Sequence, residues 1–163
     1  PRSWTDNLLW HHGCHMVDVS LWVLGKTSFA NVSAVLGEHS TQTGMIMDAT
    51  VHFSSEENQL ATHTLTYNAE QLCWEVRFIG TEETLTYRNG RLLNESGEQV
   101  VPECPWVDLV AQNREMLDSL HRGASSEYEI SSVLPAMRLL QAAEDSALTL
   151  KSEGNFSREE APQ

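Results

Sequence analysis

Between residues 29 and 101 the sequence runs in short alternating stretches broken by polar turns. In GMIMDATVHF (44–53), Met45, Met47, Ala49, Val51 and Phe53 fall on one side and Ile46, Asp48, Thr50 and His52 on the other, the period of a β-strand. FANVSAVLGEH (29–39) and the Thr-rich QLATHTLTYN (59–68) alternate too. CWEVRFIGTEETLTYRNGRLLNESGEQVV (73–101) reads as several short strands. SSEEN and NESGE are polar turns, and RNGR carries the Asn-Gly pair that favours a tight hairpin. Connections this short join antiparallel neighbours, so the spacing predicts one mostly antiparallel sheet of about five to seven strands.

Helical periods flank this β block. Leu8, Leu9, Val17, Leu21, Trp22 and Leu24 mark a helix over 8–24, with Gly25 as its stop. After Pro102 and Pro105, Leu109, Val110, Met116, Leu117 and Leu120 form one stripe of a helix over 106–123, ending at Gly123. A last helix covers 131–150, with Pro135 near its start. The expected fold is α+β: an open, mostly antiparallel sheet with helices packed on one face. Residues 1–152 would form a substrate-binding and oligomerisation domain, and 153–163 a polar tail. The sheet's second face has no cover of its own. Met45, Met47 and Phe53 either lie on that open face, as a surface for a second copy, or sit under the helices; periodicity allows both.

A formal net charge of −13 excludes phosphate backbones and anionic membranes as partners. No apolar run reaches the length of a membrane span. Cys14, Cys73 and Cys104 form neither an even disulfide set nor a CxxC pair, which points to a reducing, cytoplasmic compartment. The chain opens at Pro1 rather than Met, as a processed chain or a piece of a longer one does.

Chemistry concentrates in NLLWHHGCHMVD (7–18), where His11, His12 and His15 fall within five positions. On a regular helix His11 and His15 share a face, Asp18 continues the row and His12 points a quarter turn away. Three readings stand side by side. His11, His15 and Asp18 are the donor types of a zinc or non-haem iron site. Imidazoles at a helix start can carry a substrate's hydroxyl proton near neutral pH, tuned by the helix N-terminus and by Asp18. Clustered His and Trp also fill half-buried positions with satisfied hydrogen bonds. His39, His52 and His63 stand singly on strand runs and take no assigned role.

HHGCHMVDVSLWVLG, FIGTEETLTY and LVAQNREMLDSLHRG together resemble the C-terminal domain of the glucose–fructose oxidoreductase / inositol dehydrogenase (Gfo/Idh/MocA) family, over roughly residues 2–150. The resemblance implies a dihydrodipicolinate-reductase-like domain whose open sheet mediates homo-oligomers, partnered by a Rossmann domain. The G-x-G-x-x-G fingerprint and the family's catalytic lysine motif do not occur here. By this likeness NAD(P) would be bound mainly by a domain missing from this chain, and the fragment alone would be inactive. His15 matches the family's acid–base histidine. His11 stands where relatives keep an Asp, and Asp6 and Asn7 where they keep Gly-Gly. Asp18 matches a position that orients a neighbour.

RSWTDNLLWHHGCHMVD is similar to a family branch that oxidises a cyclic hemiacetal to a lactone with NADP, on a substrate bearing carboxylates. That likeness implies His15 and His11 as catalytic residues. Arg2, Asp6, Asn7 and His12 would contact a small anionic or hydroxylated substrate, and Trp4 and Trp10 would line a pocket for a planar one. Cys14 is expected to be a small packing residue. The alternative is a non-catalytic metal-binding or dimerisation domain built on His11, His15 and Asp18.

Overall fold

The computed structural model describes residues 8–25, 29–102, 109–125 and 129–154, with side chains except at 109 and 151–154. In chain order they form a π-helical turn Leu9–Gly13, α1 (Cys14–Leu24), β1 (Asn31–Leu36), β2 (Asp48–Ser54), β3 (Leu60–Thr66), β4 (Glu75–Ile79), β5 (Thr84–Arg88), β6 (Arg91–Leu93), α2 (Leu109–Arg122) and α3 (Ile130–Gly154). The chain divides into two compact units, residues 1–68 with 130–163, and residues 69–129.

In the first unit β1, β2 and β3 lie side by side and antiparallel. The register pairs Val32 with Phe53, Ala34 with Val51 and Leu36 with Ala49 across β1 and β2, then Ala49 with Leu65, Val51 with His63 and Phe53 with Ala61 across β2 and β3. Because the side-chain period of a strand is two, these pairs all share one face. The helices cover that face: Ala34, Leu36, Ala49, Val51 and Phe53 pack in one core with Leu9, Val17 and Leu21 from the N-terminal helical segment and Ala136, Leu139, Leu140, Ala143 and Ala147 from α3. Each fully buried large side chain, such as Phe53, Leu9 or Leu140, contributes about 1.5–3 kcal/mol by leaving water. Phe53 therefore sits under the helices, and the open face carries Ser33, Val35, Thr50, His52, Thr62 and Thr64 instead.

α1 stops where expected. Gly25 takes φ 63° and returns its N–H to the carbonyls of Leu21 and Trp22, a left-handed end that a side chain would strain. α3 runs to Gly154, past the expected end at 150 and two residues into the expected tail. Pro135 lies inside α3, in its second turn, beyond the N–H groups that a helix start leaves without intrahelical acceptors, so it omits one helix hydrogen bond.

The second unit contains β4, β5 and β6, again antiparallel neighbours in that order. Asn89 and Gly90 both have positive φ, 47° and 89°, the backbone of the hairpin that Asn-Gly favours. The described strands thus form two three-stranded sheets rather than one. The break falls at Asn68–Glu70 and onward to Leu72, an exposed stretch without alternation that leaves both ladders. α2 also departs from expectation. Its apolar stripe, Val110, Met116, Leu117 and Leu120, is exposed, and Ser119 is its buried side chain, donating to Glu115 Oε1 at 2.7 Å. Among the described residues no helix is long and apolar enough to cross a membrane.

Candidate active site

The histidine cluster opens on the π-helical turn rather than on a regular helix. Bonds from residue i to i+5 hold an extra residue in the turn, so consecutive side chains fan out by less than the usual 100°. His11 and His12 then point the same way, their ring centroids 4.3 Å apart. His11 thus stands against its sequence neighbour His12, a contact that α-helical spacing, which pairs His11 with His15, does not foresee. His15 lies on α1 proper and is exposed, as is Asp18.

Gly13 closes the π turn. A Cβ there would stand 3.2 Å from Leu9 Cδ1, 3.3 Å from Leu140 Cδ2 and 3.4 Å from Leu65 Cδ1. Bare backbone lets the turn settle between α3 and β3, and that seat decides what the two imidazoles meet.

They meet Tyr67. It follows β3 directly, its N–H bonded to the carbonyl of Met47 at 2.8 Å, and it extends the inward row Ala61, His63, Leu65. Its hydroxyl hydrogen-bonds Nδ1 of His11 and Nδ1 of His12, the latter at 2.6 Å. The His12 ring stands edge-on to the phenol, centroids 5.4 Å apart. Partial burial lowers the His12 pKa below the usual imidazole value, and the neighbouring charges of His11 and His15 lower it further. Burial also raises the Tyr67 pKa, so the phenol stays protonated at neutral pH. His12 thus lies within electrostatic reach of both other imidazoles, and shares one hydroxyl with His11.

Trp10 turns the other way. It packs against the core and donates its indole N–H to Glu144 Oε2 at 3.0 Å, tying the π turn to α3. Cys14 is half-buried against the same core; burial raises its thiol pKa, which keeps it in the unreactive form. Arg2, Trp4, Asp6 and Asn7, also expected at the site, lie outside the described residues. Among the described residues no three His, Cys, Asp or Glu side chains converge to hold a metal, so His11, His15 and Asp18 do not assemble as ligands.

Tyr67 itself was not singled out in the sequence. The signal was present: the alternation of 59–68 puts it on the same side as Leu65. His63, one turn of the pleat earlier, is the second unassigned residue. Its Nε2 lies 2.9 Å from Ser20 Oγ on α1, its ring packs on Phe53 at 5.7 Å, and burial lowers its pKa to about 4.

Comparison with known proteins places this arrangement in context. The sequence pattern of the family described as "Bacterial oxidoreductases, C-terminal" matches residues 1–102. A 4-carboxy-2-hydroxymuconate-6-semialdehyde dehydrogenase of Sphingobium sp. (strain NBRC 103272 / SYK-6) is 32% identical over 146 residues, covering 86% of this chain and 45% of that protein. The chain therefore spans less than half the length of that relative. The fold matches a UDP-N-acetylglucosamine 3-dehydrogenase from Acidithiobacillus ferrooxidans with a TM-score of 0.78 at 14% identity, over 91% of this chain and 50% of the other. It also matches an oxidoreductase from Agrobacterium radiobacter, solved in complex with NAD+, L-tartaric acid and magnesium, with a TM-score of 0.69 at 17% identity, over 86% of this chain and 46% of the other. The matched pattern and the identity to the dehydrogenase agree with the α+β fold: the chain belongs to the family of bacterial oxidoreductase C-terminal domains.

Proposed function

We propose that this chain is the substrate-handling part of an NAD(P)-dependent dehydrogenase that oxidises an alcohol or cyclic hemiacetal carbon, 4-carboxy-2-hydroxymuconate-6-semialdehyde being the compound to try first. The observation that carries this reading is the meeting of His11 and His12 at Tyr67, with the charge of His15 acting on His12, in a chain of the oxidoreductase C-terminal family. Removing a hydride from a hydroxyl-bearing carbon needs a base for the hydroxyl proton, and imidazole does that near neutral pH. His15, exposed and near enough for its charge to act on His12, takes that proton with the aid of His11, and His12 contacts the substrate. Arg2, Trp4, Asp6 and Asn7 complete the substrate contacts.

The dinucleotide, when bound, accepts the hydride. No G-x-G-x-x-G loop occurs in this sequence to cradle its phosphates, so its binding belongs to a separate Rossmann domain, and this chain's residues manage the proton. The Thr- and His-bearing open face of the first sheet mediates association between copies. Free Cys14 and Cys73 suit a reducing cytoplasm.

Two measurements test this. In the enzyme carrying its dinucleotide-binding domain, His15→Ala lowers kcat by about 10²–10⁴-fold with 4-carboxy-2-hydroxymuconate-6-semialdehyde and NADP, the range for loss of a general base; retention of full turnover would remove His15 from the reaction. Calorimetry of this chain alone with NADP is expected to give no micromolar binding, and a micromolar isotherm would overturn the division of labour.

A further inference from the structure

We infer that Tyr67 is a positioning residue that locks His11 and His12 in opposite tautomers and joins them into one proton path. Its functional meaning rests on the dehydrogenase reading above; its structural content does not.

The argument starts from counting protons. Both hydrogen bonds of the Tyr67 hydroxyl go to Nδ1 atoms, of His11 and of His12. A phenol has one proton to donate and lone pairs to accept with. It therefore donates to one Nδ1 and accepts from the other. The ring that receives the phenol proton carries its own proton on Nε2. The ring that donates carries its proton on Nδ1 and keeps a lone pair on Nε2. Two neighbouring neutral imidazoles, chemically alike, thus become a donor and a base.

This division is imposed by geometry. The two rings lie 4.3 Å apart on the π turn, and the phenol meets them from β3, edge-on to His12. A phenol is protonated at neutral pH, and burial raises the Tyr67 pKa further, so the hydroxyl has a proton to give there. A phenyl ring at 67 would fill the same space and offer neither Nδ1 a hydrogen-bond partner.

The same bonds form a balanced relay. A proton arrives at the Nε2 lone pair of the first ring. That ring passes its Nδ1 proton to the Tyr67 oxygen, and the hydroxyl proton moves to Nδ1 of the second ring. The second ring then releases its Nε2 proton. Each group ends with the number of protons it began with, and the tautomers have exchanged. A proton taken up on one side of the pair leaves on the other, and the pair must return to its first tautomers before it carries another in the same direction.

Long-range ¹H–¹⁵N spectra of the histidine rings above neutral pH read the tautomers directly. The wild-type chain is expected to show one of the two rings protonated at Nδ1 and the other at Nε2, and Tyr67→Phe is expected to return both to the same form. Identical tautomers in the wild type, or opposite tautomers surviving in Tyr67→Phe, would overturn the assignment. If the variant does not fold, the wild type still decides: a scalar coupling from the Tyr67 hydroxyl proton to an imidazole nitrogen supports it, and its absence at low temperature counts against it. In the complete enzyme, Tyr67→Phe is expected to lower kcat about tenfold with KM held within about twofold, the pattern of an effect confined to the chemical step; an unchanged kcat removes the path. Absence of any NAD(P)-linked turnover in the wild type would defeat the dehydrogenase reading instead, and the spectra need neither cofactor nor turnover.

Discussion

Among the described residues, His63 is the one whose titration the fold shifts by a large amount. It lies on the inward row of β3 against Phe53 and Ser20, and burial lowers its pKa from 6.5 to about 4. The folded chain thus holds His63 neutral where the unfolded chain would protonate it. The contribution to stability is complete above pH 6.5 and is lost as the pH falls toward 4. At one pKa unit per 1.36 kcal/mol the loss amounts to about 3 kcal/mol. Urea unfolding at about pH 7 and about pH 4.5 is expected to show the wild type weakening across that window and His63→Gln weakening less. Equal slopes in the two proteins would remove His63 as the cause. Ser20→Ala leaves the His63 Nε2 without its hydroxyl partner and is expected to cost about 1–2 kcal/mol at neutral pH by the same assay. His63 was visible in the sequence as an alternating strand residue, but only the register opposite Val51 and the approach of α1 made it a buried one.

At the scale of elements, the π turn is the decisive feature. Its five residues, LWHHG, bring His11 and His12 together, and Gly13 allows the fit against Leu65 and Leu140. Gly13→Val would add a branched side chain where even a Cβ is crowded. The expected cost is about 1–3 kcal/mol, the range for overpacking, accompanied by loss of the His12–Tyr67 contact. Thermal unfolding reads the first and the Tyr67 hydroxyl resonance the second; an unchanged melting temperature would mean the turn has slack that the distances deny. α2 makes the opposite case. Leu117 and Leu120 are 55% and 65% exposed, so Leu117→Ala and Leu120→Ala should each change the chain's stability by less than about 0.5 kcal/mol. A larger loss would mean that α2 packs in solution on a surface that these residues cover. The periodicity of α2 predicted a helix correctly and its burial wrongly, because a hydrophobic stripe states which residues could be covered and not what is there to cover them.

For the whole molecule, the open face of the first sheet is where association is expected. Thr50 stands on the central strand β2, opposite Val35 on one side and Thr64 on the other. Thr50→Arg places a charge in the middle of that face and should convert an associating chain to monomer in sedimentation equilibrium, with its circular dichroism unchanged. A wild type that stays monomeric at tens of micromolar would move oligomerisation elsewhere. The amino-acid sequence by itself determined the order of elements, because periods of two and 3.6, the Asn-Gly hairpin and the stop at Gly25 are local properties of the backbone. It also determined that His15 stands on a helix, and the likeness to the oxidoreductase family pointed to the same helix. Three matters were settled only by tertiary structure: which sheet face Phe53 occupies, that the described strands divide into two ladders at 68–72, and that His11 and His12 meet at Tyr67. Each depends on contacts between residues far apart in the chain. A π turn is one residue wider than the spacing assumes, and nothing in LWHHG announces it until Gly13 is seated between α3 and β3.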